Sequence, residues 1–486
     1  MATVLDPRKP QALRYVNIQE EYDRITELHR NLVNFKGGSD EKVKIQEDIE
    51  LGYNQLLDLA PDNPSILNAY GGYLYHTGRP GLALNLVNNS LQIAPQMAQA
   101  WLNLGIILNS KHSYARARVA LQRAIQLEKN NADFYHVLAK NEVDDGCPEE
   151  AIPHLEYALM LNPDHSSCKF LMGLANLYLG NWEKGWEGYS LGPREKLRAY
   201  RSGDKEVPEW QGEKKAEGII VFGEQGLGDE VLFGTCLKDL SRYLPETQVV
   251  LDLNPRLVPI FQRSFPHFRV ESTDHTNGNL AYSGKLDYQL PLGSLPYFFR
   301  NKAKDFPLIT PYLKPDLEKA KEYSKRYRKK FPMIGFAWLG GVPDTGSRFR
   351  SIPLPHFEKI FKTAPGATWL SLQYQPGIDE QLKPYMSEFD IVHDQELIDN
   401  IDYQISAIEA CDLVVTVTMS VCDFAGGIGK ECWTLVPSRP LWRFSHLGDT
   451  RAWYSTERLY RQTREEEDWN SCIDRLCKDL EAWLDG

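Results

Sequence analysis

At 486 residues the chain exceeds what one hydrophobic core usually holds, so about two to four domains are expected. Its 42% hydrophobic and 25% charged residues suffice for packed cores and exclude disorder as the default. A net charge of −11 excludes a general nucleic-acid binder, because neutralising phosphates takes a surplus of Lys and Arg. The basic run from Lys319 to Lys330 reads as the solvated face of a helix.

The first seven residues, Met1-Ala2-Thr3-Val4-Leu5-Asp6-Pro7, lack the charged start and apolar core of a signal peptide. No run offers the ~20 apolar residues of a membrane span. The eight cysteines form neither a Cys-x-x-Cys pair nor a zinc-type Cys/His spacing. A cytoplasmic protein with reduced thiols and no metal is expected. Gln11 to Phe35 predicts an amphipathic helix, with Tyr15, Ile18, Tyr22, Ile25, Leu28 and Leu32 recurring at three- and four-residue steps.

The chain then repeats. Gly71, Gly105, Ala139 and Gly173 are each 34 residues apart, as are Leu67, Trp101 and Tyr135, and Ala83, Ala117, Ala151 and Gly185. Pro61, Pro95 and Pro163 fall on the same period. This is the tetratricopeptide pattern, a helix pair whose small residues let the two helices approach and whose second helix stops at a proline. Units are expected at about 64–97, 98–131 and 132–165, with a half-unit over 166–190 and an atypical capping helix pair over 30–63. Tyr70, Trp101, Phe134 and Tyr157 read as core positions, and the array offers a surface for a protein partner or for self-association.

The repeats are expected to fill residues 1–190, and residues 191–217 read as a connector. Short apolar runs then alternate with helical stretches. Strands are expected at 218–223, 247–253, 287–291, 333–338, 367–373, 389–393, 412–418 and 432–436. Helices are expected at 229–243, 255–264, 315–330, 355–364 and 402–411. Such alternation predicts parallel sheets covered on both faces. Two lobes, 218–314 and 315–486, would face each other across a cleft at their C-terminal strand ends. A last helix over 468–485 places Ile473, Leu476, Leu480, Trp483 and Leu484 on one face.

The turn Gly223-Glu224-Gln225-Gly226-Leu227-Gly228-Asp229 joins the first expected strand to its helix. Such a turn aims backbone N–H groups and the positive helix end at a phosphate or sugar. It sets the Asp229 carboxylate at the mouth of that pocket, either as a general base or as a helix cap favoured by about 0.3–1 kcal/mol.

Six segments in order carry a resemblance. They are Pro208-Glu209-Trp210-Gln211-Gly212, then Glu224 to Asp229, then Ile334 to Trp338 with Arg350-Ser351-Ile352-Pro353-Leu354. Ser371-Leu372-Gln373, Ala410 to Val417, and the tail residues Trp442-Arg443, Trp453-Tyr454 and Arg458 to Gln462 follow. Behind a 34-residue repeat array, they resemble the bacterial tetratricopeptide-repeat proteins with a glycosyltransferase C-terminal half of GT-B type, related to the heptosyltransferases. The resemblance implies an α-solenoid followed by two doubly wound α/β lobes. It also implies metal-independent sugar transfer from a nucleotide-sugar, without a further cofactor, to a protein or glycan acceptor. The first lobe would hold the acceptor, with Gln225, Gly226 and Gly228 in its turn and Asp229 as base. The second would hold the donor through Gly340, Arg348, Arg350, Gln373, Thr418, Ser420, Asp423, Gly426 and Gly427.

One loop departs from that family. After the penultimate strand the family reads Asp-Thr-x-x-x-His, and here Thr418, Met419 and Asp423 stand at those three places. A carboxylate at 423 would repel a diphosphate unless a cation or a proton intervened. Two readings stay open at this stage: a repeat-bearing glycosyltransferase, or a transferase-like scaffold kept for binding and assembly.

Overall fold

The computed structural model describes residues 2–5, 13–33, 35, 37–192, 200–202, 205–272, 284–306, 311–341, 347–445, 447–464 and 468–486. They form two compact units, Met1–Cys168 and Lys169–Gly486.

The first unit opens with an antiparallel hairpin, β1 (Ala2–Leu5) and β2 (Leu13–Val16). Paired helices follow: α1 (Ile18–Val33) with α2 (Ser39–Leu59), α3 (Pro64–His76) with α4 (Pro80–Ile93), α5 (Ala98–Ser110) with α6 (Tyr114–Leu127), and α7 (Ala132–Asp144) with α8 (Pro148–Leu161). Small residues at the repeating position let each pair close. A Cβ on Gly71 would lie 2.7 Å from Val87, and one on Gly105 would lie 2.5 Å from Leu121. Proline opens α3, α4 and α8, where its missing N–H is harmless. Asn63 caps α3, and Asn131 caps α7 by accepting from the Asp133 N–H at 3.1 Å.

The expected capping pair over 30–63 is instead one long helix, α2, paired with α1. The turn falls at Gly37-Gly38, and Gly52 serves as a contact point, its missing Cβ leaving room for Ile25. Ile25, Ile49, Tyr53 and Leu56 form the core there. Of the four aromatics expected inside the repeats, Tyr70 and Phe134 are buried. Trp101 and Tyr157 are half-buried, and Trp101 donates its indole N–H to the Pro95 carbonyl at 2.9 Å.

The second unit takes in α10 (Trp182–Ser190) and most of α9 (Ser166–Tyr178), so the compact boundary lies about one helix pair earlier than residue 190. The reason is Trp186, which is buried in the α/β core. It donates to the Arg300 carbonyl at 2.8 Å and stands edge-on to Trp442 and Trp453. The helices α9 and α10 meet backbone to backbone at Gly173, where a Cβ would lie 2.4 Å from the Tyr189 nitrogen. Gly173→Ala should therefore cost about 1–3 kcal/mol in urea unfolding. Gly72→Ala, whose added Cβ would meet only Asn103 at 3.7 Å, should be tolerated.

A short hairpin, β3 (Arg201–Ser202) and β4 (Lys205–Glu206), precedes two parallel sheets. The first contains β5 (Gly218–Phe222), β6 (Gln248–Asp252), β7 (Arg269–Glu271) and β8 (Tyr288–Pro291) in the order β7-β6-β5-β8. The second contains β9 (Met333–Phe336), β10 (Thr368–Ser371), β11 (Asp390–Val392), β12 (Leu413–Val417), β13 (Cys432–Val436), β14 (Thr450–Arg451) and β15 (Tyr454–Arg461). Its order is β11-β10-β9-β12-β13-β15-β14, with β14 alone antiparallel. Strands β5, β9, β10, β12 and β13 are buried along their whole length, which is why they read as unbroken apolar runs. The order reverses between β9 and β12, and between β5 and β8. Ligands bind at such switch points, beyond the carboxyl ends of the strands.

The basic run of 319–330 is a solvated, ion-paired surface. Lys321 meets Glu318 at 2.8 Å, Arg326 meets Asp394 and Glu396, and Lys329 meets Asp390 at 3.0 Å. The last helix, Asn470–Asp485, buries Ile473, Leu476 and Leu480, whereas Leu484 is exposed near its end. Among the described residues no helix is long and apolar enough to cross a membrane, and no group of three or more His, Cys, Asp or Glu side chains could hold a metal ion.

Candidate functional site

A cleft of about 500 Å³ opens within the second unit, between the carboxyl ends of the two sheets. On one wall the chain leaves β5 through Gly223 to Gly226 and enters α11 (Leu227–Gly234). On the other it leaves β12 through Thr418 and Met419 and enters the helix Ser420–Ile428. Neither helix has a side-chain cap at its first residue, Gly226 or Met419, so both present N–H groups to the cleft. The two N-termini touch. A Cβ on Gly228 would lie 2.7 Å from Asp423 Oδ2 and 3.4 Å from Ser420 Cα, so a larger residue there would push on the Asp423 carboxylate. Two helix dipoles therefore converge on one space, which favours an anion.

Three arginines line the same space: Arg256, Arg350 and Arg443. Arg350 is buried and donates from Nη1 to the Thr418 carbonyl at 3.1 Å. Burial, and then the charge of Arg443, pull its pKa below the ordinary guanidinium value. Two cations thus share a confined volume, and a bound anion would relieve both. Arg443 Nη2 donates to Asp229 Oδ1. Thr418 Oγ1 is buried in this lining with no hydrogen-bond partner among the described residues.

Asp423 lies beside these groups, and the doubt raised by its position finds an answer. Arg451 Nη2 stands 2.9 Å from Asp423 Oδ1, and Arg451 Nη1 stands 3.2 Å from Glu457 Oε2. Glu457 also accepts from Thr434 Oγ1 at 2.7 Å. Burial works against the Arg451 charge, but Asp423 and Glu457 outweigh it and hold its pKa well above the ordinary value. Burial pushes the Asp423 carboxyl up to about 7, against the opposing pull of Arg451 and Arg443. Both a cation and a proton are therefore at hand to blunt its repulsion.

The raised value has a consequence for stability. With Asp423 at about 7 when folded and 3.8 ordinarily, the native state holds the extra proton across that interval. Its stabilising contribution is present at low pH and lost as pH rises through about 7. Asp423→Asn should thus gain about 2 kcal/mol relative to wild type between pH 5 and pH 8. Thermal unfolding across that range checks it, and a pH-independent difference would contradict it.

The cleft brings together Gln225, Gly226, Gly228, Asp229, Arg350, Thr418, Ser420 and Asp423 of the expected site residues. Gln225 is tied down at its edge, donating to Tyr189 Oη and to Glu224 Oε1. Four others lie elsewhere. Gln373 is fully buried: its Oε1 accepts from the Trp338 and Leu339 N–H groups at 2.8 Å, and its Nε2 donates to the Leu339 carbonyl at 3.0 Å. These bonds tie it to the turn after β9. Gly340 packs on the Arg350 backbone, and its neighbour Gly341 lines the cleft. Gly426 lies flat under the Tyr454 ring, and the Gly427 carbonyl accepts from the Tyr312 and Leu313 N–H groups at 3.0 Å. Both glycines are there for packing. The Arg348 side chain lies outside the described residues.

Sequence reasoning passed over Arg256, Tyr374, Asn254 and Gln404 in the lining, and Arg451 beneath it. Arg443 was visible in the Trp442-Arg443 segment but carried no partner that a linear reading could assign.

No family model matches the chain. It is similar to Protein FlbA of Caulobacter vibrioides, with 25% identity over 454 residues, 86% of this chain and 73% of that protein. It is similar to the Protein O-mannosyl-transferase TMTC3 of Homo sapiens, with 30% identity over 86 residues, 18% of this chain and 9% of that much longer protein. Among solved structures, a mutant of the Thermobaculum terrenum O-GlcNAc transferase is similar over 87% of this chain and 92% of that one, with 15% identity and a TM-score of 0.33. A helical-repeat unit joined to a parallel-sheet α/β unit with an anion-favouring cleft is therefore what the chemistry of this protein has to be built on.

Proposed function

We propose that this chain is a glycosyltransferase that moves a sugar from a nucleotide-sugar to a protein or glycan acceptor recruited with help from the repeats. In this reading the two sheets are GT-B-like lobes with a relation to the heptosyltransferases, and the protein works in the cytoplasm. The observation that carries it is the meeting of two uncapped helix N-termini with Arg350 and Arg443 beside the Asp229 carboxylate. Inverting transfer calls for such a set. A carboxylate takes the proton of the attacking hydroxyl, while cations and helix N-termini stabilise the departing diphosphate. Arg350, Arg443 and the Ser420–Ile428 N-terminus supply that stabilisation from this chain's own residues, without a metal.

A second reading, a transferase-like scaffold acting in binding and assembly, draws on Asp423. A carboxylate stands in the lining where the resembling family has a histidine. A thermal-shift panel of nucleoside diphosphates and nucleotide-sugars separates the two. A true ligand at about 100 times its Kd should add about 2.7 kcal/mol of stability. No shift with any member would sink the transferase reading and leave the scaffold.

A further inference from the structure

Asp229 is already engaged: its Oδ1 accepts from Arg443 Nη2, and each side chain is 16% exposed. An acceptor hydroxyl must compete with a guanidinium for that oxygen. Arg443, for its part, stands between two charges. It lines the same cleft as the like-charged Arg350, and its Nε is buried with no hydrogen-bond partner among the described residues. Its main chain is held separately, the carbonyl accepting from Arg451 Nε at 3.1 Å. The anchor of its backbone is therefore separate from the contact of its guanidinium. Both uncapped helix N-termini lie within the same cleft.

We propose that Arg443 is shared between Asp229 and the phosphates of the ligand, so that an anion seated in the cleft draws Arg443 off and opens the Asp229 carboxylate to the acceptor hydroxyl. This rests on the transferase reading above. In the step that follows, the acceptor O–H proton passes to Asp229 and the acceptor oxygen forms its bond to the anomeric carbon. The bond from that carbon to the diphosphate oxygen breaks, and the diphosphate leaves with the electron pair, its charge met by Arg443 and Arg350. With the cleft empty the base stays covered. The coupling is reciprocal: whatever releases Arg443 from Asp229 must tighten the anion by the same factor that the anion weakens the ion pair.

Calorimetric titration of the full chain with inorganic pyrophosphate reads this coupling. Asp229→Asn keeps the shape and removes the charge, and should tighten pyrophosphate about tenfold. Relief of simple repulsion would also tighten it, so the deciding arm is the double variant. In an Arg443→Gln background the gain from Asp229→Asn should shrink to less than about twofold. An undiminished gain there, or none in the single variant, overturns the shared arginine while leaving the anion cleft standing. Failure of the wild-type chain to bind pyrophosphate removes both this proposal and the transferase reading. If Arg443→Gln binds too weakly to titrate, a crystal soaked in pyrophosphate decides. Arg443 turned onto the anion and off Asp229 supports the proposal, and an intact ion pair with the anion bound overturns it.

Discussion

On the proposed transferase reading, Asp229→Asn should lower the rate of sugar transfer by about 10²- to 10⁴-fold, the range a positioned general base contributes. Nucleotide binding and folding should survive. Asp229 sits in the first turn of an eight-residue helix, and its backbone N–H bonds to the Gly226 carbonyl whichever side chain is present. An asparagine still fills the space beside Arg443 and Gly226 but cannot accept a proton at neutral pH. The measurement is turnover with the nucleotide-sugar that gives the largest thermal shift, alongside circular dichroism of the variant. Unchanged turnover would remove Asp229 as base. A fall matched by loss of nucleotide binding would recast it as a structural partner of Arg443.

Arg451→Met should destabilise the protein by about 3–5 kcal/mol, because it leaves two buried carboxylates without their cation. Arg451, Asp423 and Glu457 are each about 5% exposed or less. Arg451 does more than balance charge. Its guanidinium lies 4.2 Å from the Phe444 ring centre, and its Nε holds the Arg443 carbonyl. The same substitution should therefore loosen the cleft wall as well as the core. Removing all three charges together should cost less than removing Arg451 alone, since the penalty comes from the charges left behind. Urea unfolding of the single and triple variants tests both statements. A loss below about 1 kcal/mol in Arg451→Met would mean that the three groups do not form a buried ionic set.

Which parts of this molecule a linear reading reaches follows from how far each determinant travels along the chain. The repeat boundaries come from contacts about one turn or one helix apart. Gly71 meets Val87, Gly105 meets Leu121, and the 34-residue period displays them directly. The buried parallel strands announce themselves as apolar runs, and eight were placed to within two residues at either end. Strand β15 escaped because Tyr454-Ser455-Thr456-Glu457-Arg458-Leu459-Tyr460-Arg461 sets four polar residues in a row, Ser455 to Arg458, and shows neither an apolar run nor a strict alternation. Strand β7 escaped because its single apolar residue, Val270, stands between the charged Arg269 and Glu271. The position of Gln373 at a strand end says nothing of whether its amide faces a ligand or the neighbouring backbone, and the structure bonds it to the backbone of Trp338 and Leu339.

The sequence by itself determined the helical repeats, the alternation that builds the sheets, and the turn that ends in Asp229, because local backbone preferences and hydrophobic period govern all three. Only the tertiary structure decided what the charged groups do. Asp229 finds Arg443 at a separation of 214 residues, Arg451 slides beneath Asp423, and Gly228 lets the two helix ends converge. Charge pairing at such distances along the chain depends on which surfaces pack, and no periodicity encodes it. The glycine-rich turn was legible as a strand-to-helix turn with a carboxylate at its end. That its carboxylate is held by an arginine the ligand could claim was not.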